Sequence, residues 1–176
     1  MTCAPRLRPS AWGWFGPLRW TRGRSWDKTL LNSDYRDILS AFIAERVEFL
    51  LVGAYALAVH GLPRSTGDID LWVNASHDNA GRVIRALERF GAPLDQISVD
   101  EFVVPDSIVQ IGVAPRRIDV MTSLDGLSFD TSWARRIEVE VDGIRIPVLG
   151  RTDQAINKRA VGRPQDLADA AWLEGK

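Results

Sequence analysis

Cysteine is almost missing from this chain. Cys3 is the only one in 176 residues, so neither an internal disulfide nor a zinc site of clustered cysteines can form. Histidine is scarce as well: His60 and His77 cannot build a His-rich centre. Any metal would be a hard ion held by carboxylates, Mg²⁺ or Mn²⁺. No apolar run approaches the ~20 residues that cross a bilayer, so no membrane partner is expected. Excess charge is lacking too. The 22 Lys and Arg nearly balance 23 Asp and Glu, leaving −1, which excludes nucleic-acid binding by bulk charge but not a local basic patch. Internal repeats and low-complexity tracts are absent. What is present is 45% apolar and 26% charged residues, the balance of a globular domain long enough to bury a core without cross-links.

The charge is unevenly spread. Residues 1–26 hold Arg6, Arg8, Arg19, Arg22 and Arg24 and no acid, leaving 17 basic against 23 acidic residues in the remainder. The same stretch holds Trp12, Trp14, Trp20 and Trp26, interrupted by Pro5, Pro9 and Pro17. No helical or strand period survives such punctuation. Arg19 and the prolines also break the apolar core that a signal peptide needs, so a cytoplasmic location is expected. The expected state of residues 1–26 is a poorly ordered extension. The alternative is a basic aromatic arm that stacks on single-stranded nucleic acid. Residues 27–176 read as a single domain.

From Asp27 onward the pattern is regular. Ser33 can cap a helix with Tyr35, Ile38, Leu39, Phe42, Ile43 and Val47 on one face. Phe49 to Val52 is a short continuous apolar run, as in a buried strand. Ala54 to His60 reads as a short helix closed by Gly61. Asp68 to Val73 alternates acid and apolar and reads as a strand. Ser76 can cap a helix from His77 to Phe90. Ser107 to Val113 and Arg117 to Met121 are strands joined by Ala114-Pro115-Arg116. Asp142-Gly143 is a two-residue hairpin signal between Ile137–Val141 and Ile144–Leu149. Helices over Thr152–Ala160 and Pro164–Leu173 follow, the second with proline in its first turn. Hairpins and crossovers both occur, so the fold class is α/β (α+β) with a small mixed sheet and a C-terminal helical tail.

Chemistry gathers between Gly53 and Asp70. On a strand, Asp68 and Asp70 project from one face, where two carboxylates repel unless a cation bridges them; a solvated strand edge is the bland alternative. Gly53 follows a buried strand and opens a helix, a place where phosphate can approach backbone N–H groups. Arg64 and Thr66 precede the acids, and arginine suits phosphate oxygens. A third acid, Asp119, sits in an otherwise apolar strand, where burial without a partner is costly. A metal or the Arg116-Arg117 pair could partner it. Together these features describe two-metal phosphoryl or nucleotidyl transfer.

The segment Val52-Gly53-Ala54-Tyr55-Ala56-Leu57-Ala58-Val59-His60-Gly61-Leu62-Pro63-Arg64-Ser65-Thr66-Gly67-Asp68-Ile69-Asp70-Leu71 resembles the signature of the DNA polymerase β-like nucleotidyltransferase superfamily. That signature is a glycine followed by glycine or serine, a helix, an acid–apolar–acid strand and a later third acid. The chain is most similar to small prokaryotic nucleotidyltransferases of abortive-infection and toxin–antitoxin systems. The tail from Asn157 to Asp169 resembles their Lys … Arg … Asp-x-x-Asp motif. The resemblance implies a small mixed sheet with helices on one side and a tail closing the cleft. It implies that Asp68 and Asp70 ligate two Mg²⁺ (or Mn²⁺) ions holding an NTP triphosphate. Asp119 would ligate one metal and take the proton of the attacking hydroxyl. Gly53 would admit the triphosphate, Ala54 would offer only its N–H, and Arg64, Thr66 and Lys158 would meet the nucleotide. Asp166 and Asp169 match the tail acids; alternatively Arg163 pairs with Asp166, and Asp169 is a solvated helix residue.

The implied activity is transfer of a nucleoside monophosphate from NTP to a hydroxyl. The acceptor could be a protein, a tRNA or a small molecule such as an antibiotic, and a cognate toxin or antitoxin protein is a further implied partner. Ala54 departs from the family's serine or glycine. A lost phosphate hydrogen bond costs about 0.5–1.5 kcal/mol, which leaves open a weak or inactive nucleotidyltransferase-fold module acting as a binding partner or antitoxin. His60 could face phosphate or satisfy a helix end, and His77 is expected at the surface. Trp72, Trp133 and Trp172 are expected to pack rather than stack on a base.

Overall fold

The computed structural model describes residues 31–175. The basic, Trp-rich stretch at 1–26 lies outside them. The element order is α1 (Ser33–Ala44), β1 (Phe49–Leu51), α2 (Gly53–Val59), β2 (Asp68–Val73), α3 (His77–Phe90), β3 (Ile108–Ile111), β4 (Arg117–Met121), α4 (Phe129–Ala134), β5 (Ile137–Val141), β6 (Ile144–Val148), α5 (Arg151–Val161) and α6 (Pro164–Leu173). Two short 3-10 turns lie between α3 and β3. The cap of α1 is Asn32 rather than Ser33: its side chain accepts the Tyr35 N–H at 2.9 Å. Ser76 caps α3 by accepting from Asn79, and Gly91 ends that helix in the left-handed conformation. The Asp142-Gly143 turn joins β5 to β6, with both residues at positive φ, as a type I′ turn demands.

The six strands form one mixed sheet in the order β3-β4-β2-β1-β6-β5. β1 lies antiparallel to β2 and parallel to β6, while β2 lies parallel to β4. The crossover from β2 runs through α3, which buries Ala80, Val83, Ala86 and Leu87. With α1 it covers one sheet face, where Phe49, Leu51, Ile69, Leu71, Ile118 and Val120 join the main core. Leu50, Val52, Trp72 and Leu149 form a smaller core on the opposite face, packed against Phe129 and Trp133 from α4. Helices therefore lie on both faces, a correction to the one-sided packing expected from sequence. A third cluster of Leu57, Ala155 and Leu173 binds α2 to the helical tail.

Candidate active site

Period-2 alternation decides which side chains share the uncovered end of the α4 face. Asp68, Asp70 and Trp72 project to one side of β2 while Ile69, Leu71 and Val73 go to the core. Parallel pairing sets Asp68 opposite Arg117, Asp70 opposite Asp119 and Trp72 opposite Met121. Gln110 on β3 lies opposite Asp119. The same face thus carries three carboxylates and one guanidinium at one end, and a buried aromatic cluster at the other. Trp72 belongs to that cluster: it is buried, its Nε1 donates to the Thr122 carbonyl at 3.1 Å, and it meets Phe129 edge-on.

Arg117 partners both outer acids. Its Nε donates to Asp119 Oδ1 at 2.8 Å, and its Nη2 to Asp119 Oδ2 at 3.0 Å and Asp68 Oδ2 at 2.6 Å. Gln110 Nε2 adds a longer bond to Asp119 Oδ2 at 3.4 Å. Thr66 donates its hydroxyl to Asp68 Oδ1. Arg116 lies apart and pairs with Asp34 at 3.6 Å. Asp70 differs from its neighbours. Among the described residues its carboxylate makes no hydrogen bond or ion pair. Burial, then the charges of Asp68 and Asp119, push its carboxyl up to about 6 against the lesser pull of Lys158 and Arg117. Among the described residues no group of three or more His, Cys, Asp or Glu side chains is gathered into a metal site.

Gly53 faces Asp70 at close quarters. Its φ is +63°, in the left-handed region, and a Cβ built there would lie 1.9 Å from Asp70 Oδ2. Only glycine fits on both counts. Its carbonyl accepts from Gln154 Nε2 of α5 at 3.3 Å, and the Val52 N–H bonds to the Asp70 carbonyl at 3.0 Å. The glycine turn is therefore tied to β2 from one side and to the tail from the other.

The cations expected to meet phosphate are held by the tail. Lys158 Nζ bonds Asp166 Oδ1 at 2.7 Å, and Arg163 pairs with the same carboxylate. These cations hold the Asp166 carboxyl below its usual range, although burial alone would raise it. Arg64 pairs with Asp169. Asp169 is buried, so it is not the solvated helix residue that was its alternative reading. Both tail acids orient cations. A cavity of about 440 Å³ lies between them, lined by Leu57, Arg64, Lys158, Arg163, Asp166 and Asp169. A second, apolar cavity of about 260 Å³ is lined by Leu51, Tyr55, Ala58, Val59, Val141 and Ile146. Ala54, Arg64 and Ser65 line both.

The remaining candidates are structural. His60 bonds the Leu149 carbonyl through Nε2 at 2.8 Å, and its burial pushes its pKa down. His77 is exposed. Trp133 stacks on Phe129 beneath Arg136, and Trp172 packs with Arg151. Of the Arg116-Arg117 pair offered from sequence as a partner for Asp119, Arg117 alone takes that role, and its further bond to Asp68 is the part that sequence reasoning missed. The signal for the first existed: Arg117 stands two positions before Asp119 on a strand and so shares its face.

The family model "Nucleotidyltransferase of unknown function (DUF6036)" matches residues 31–172. No curated protein matches the chain. Solved structures do. TM1012 from Thermotoga maritima, a provisionally assigned nucleotidyltransferase, is 19% identical, with a TM-score of 0.53 over 80% of this chain and 91% of its own. The lincosamide antibiotic adenylyltransferase LnuA, solved with lincomycin, is 17% identical, with a TM-score of 0.52 over 82% of this chain and 96% of its own. The antibiotic-resistance factor ANT(2'')-Ia is 11% identical, with a TM-score of 0.51 over 80% of each chain. At these identities the likeness is one of fold.

Proposed function

We propose, since this chain belongs to the DUF6036 family of nucleotidyltransferases, that it transfers a nucleoside monophosphate from an NTP to the hydroxyl of a small-molecule acceptor with the help of a divalent cation. The observation that carries this reading is the register of β2 and β4, which sets Asp68, Asp70 and Asp119 on one face beside a glycine that admits no side chain. The donor set suits Mg²⁺ or Mn²⁺: three hard carboxylates, with Asp70 lacking a cation of its own. Asp68, Asp70 and Asp119 would hold such ions, which would supply positive charge at the attacking and leaving oxygens of an in-line displacement. The chain's own residues do the rest. Gly53 leaves the approach to Asp70 open. Lys158 and Arg64, fixed by Asp166 and Asp169, offset phosphate charge from the tail side. In this reading Asp119 takes the proton of the attacking hydroxyl.

Two features favour a small acceptor over a tRNA or a protein. The domain from residue 27 carries 17 basic against 23 acidic residues, a poor match for a polyanion. The apolar cavity of about 260 Å³ beside Tyr55 and Ser65 suits a small apolar group better than a polymer. The fold neighbour LnuA acts on a lincosamide antibiotic, which fits the same class. The test is pyrophosphate release from each NTP, with Mg²⁺, across a panel of hydroxyl compounds of graded polarity. Release that depends on an uncharged or amphiphilic hydroxyl compound is expected. Release that only tRNA or a protein elicits would overturn the acceptor assignment.

A second reading, a module that binds nucleotide without turnover, draws support from Ala54 and from the guanidinium lying between Asp68 and Asp119. Ala54→Ser is the discriminating variant. Placing one hydroxyl donor beside the phosphates should tighten NTP binding by roughly twofold to thirteenfold, the equivalent of about 0.5–1.5 kcal/mol. Calorimetric titration checks this. If turnover rises with affinity, the chain is an enzyme working with a weak phosphate grip. Tighter binding with no turnover on any acceptor favours the module.

A further inference from the structure

Arg117 occupies the ground between two of the three acids. One guanidinium takes Asp119 through Nε and Nη2 and Asp68 through Nη2, at 2.6–3.0 Å. Thr66 takes the other oxygen of Asp68, and Gln110 adds to Asp119. Every carboxylate oxygen of Asp68 and Asp119 therefore already accepts from a protein donor, whereas Asp70 accepts from none among the described residues. Arg117 is itself partly exposed, with a third of its side chain open to solvent. It can leave toward water without disturbing the core.

We propose that Arg117 is a built-in counter-cation: it neutralises Asp68 and Asp119 in the metal-free protein, competes with divalent cations for them, and must turn away before the site can load. Two consequences follow from charge alone. A bare divalent ion meets a guanidinium already in place, so it binds the free protein weakly. An NTP brings several negative charges that attract both the ion and the departing guanidinium, so ion and nucleotide bind together better than either binds alone. Arg117 then becomes a third phosphate-facing cation beside Lys158 and Arg64. Its planar fork can bridge two carboxylates or grip phosphate oxygens with the same donors. This inference rests on the nucleotidyltransferase reading of the acids and adds an order of events to it.

The competing possibility is that Arg117 stays on Asp119 and simply orients it for the metal. The two differ in sign. Mn²⁺ binding to the full chain is measured by electron paramagnetic resonance, with and without a non-hydrolysable NTP analogue, for wild type, Arg117→Gln and Arg117→Lys. Counter-cation behaviour predicts that Arg117→Gln binds Mn²⁺ alone about tenfold more tightly or better, the equivalent of one charge-assisted bond no longer to be broken. It also predicts that the variant loses most of the metal–nucleotide synergy. Arg117→Lys, a point charge unable to bridge both acids, should fall between. Unchanged or weaker Mn²⁺ binding in Arg117→Gln overturns the proposal, provided wild type binds Mn²⁺ with nucleotide. Melting curves show whether each variant is folded, and the lysine variant carries the test if glutamine does not fold. If wild type and both variants bind neither Mn²⁺ nor nucleotide, the nucleotidyltransferase site itself fails, and this proposal with it.

Discussion

Asp70→Asn should yield a protein that melts at a higher temperature and does no chemistry. The Asp70 carboxyl is pushed up to about 6 by burial and by Asp68 and Asp119. The folded protein therefore binds that proton more tightly than the unfolded chain, whose carboxyl titrates near the ordinary value of 3.8. Between about pH 4 and pH 6 the native state holds more protons, so stability falls as pH rises through that window. Above about pH 6 the full cost of an ionised, unpartnered Asp70 is present. A shift of this size corresponds to an upper bound of about 3 kcal/mol. Residual solvation of the half-buried side chain brings the expected gain on neutralising it to about 1–2 kcal/mol, or roughly 2–8 °C at neutral pH.

Asparagine keeps the shape and removes the charge. The gain should vanish below about pH 4, where wild type is protonated in both states. Turnover should fall by about 10³-fold or more, since a preorganised charge at the reacting centre is lost. Asp119→Asn should also abolish turnover, but it breaks the bidentate bond to Arg117 and should lower the melting temperature. Melting curves from pH 4 to 8 check both. A destabilised Asp70→Asn at pH 7 would contradict the isolation of that carboxylate.

Gly53→Ala carries the other large effect. A residue with a Cβ at φ +63° is strained by about 1–2 kcal/mol. The added carbon would also lie 1.9 Å from Asp70 Oδ2, far inside van der Waals contact, and relieving such overpacking typically costs another 1–3 kcal/mol. A loss of about 2–5 kcal/mol is expected. The displaced atom is a carboxylate oxygen of the candidate metal set, so nucleotide-dependent metal binding should fall with it. Gly91→Ala is the control. Gly91 also has positive φ, 87°, but a Cβ there meets nothing within 4 Å. It should lose stability alone, with ligand binding intact. Equal loss of binding in both variants would mean that backbone strain, and not the approach to Asp70, explains Gly53.

Much of this site was legible because strand period is simple. The acid–apolar–acid pattern of Asp68-Ile69-Asp70 places two carboxylates together whatever the tertiary fold, and the Ser76 cap and the Asp142-Gly143 turn are equally local. What was not legible depended on partners distant in sequence. Asp169 looks like a solvated helix residue until Arg64 closes on it, and the Arg163 partner read for Asp166 gives no sign that Lys158 joins it. The burial of α4 against Trp72 could not be read from a helix of six residues, Phe129–Ala134, which is too short to show a period. Arg117 lay between these cases. Its face was readable, but its double engagement required the β2–β4 register.

The claim on which the rest depends is that the three acids form one cation-dependent nucleotide site. Thermal melting with each NTP, with and without Mg²⁺ or Mn²⁺, tests it directly and needs no knowledge of the acceptor. Ligand at ~100 times its dissociation constant adds about 2.7 kcal/mol, roughly 5–10 °C for a domain of this size. A shift of that order is expected with NTP and metal together, smaller with either alone, and absent in Asp70→Asn. A shift indifferent to metal, or one that survives Asp70→Asn, would contradict the account.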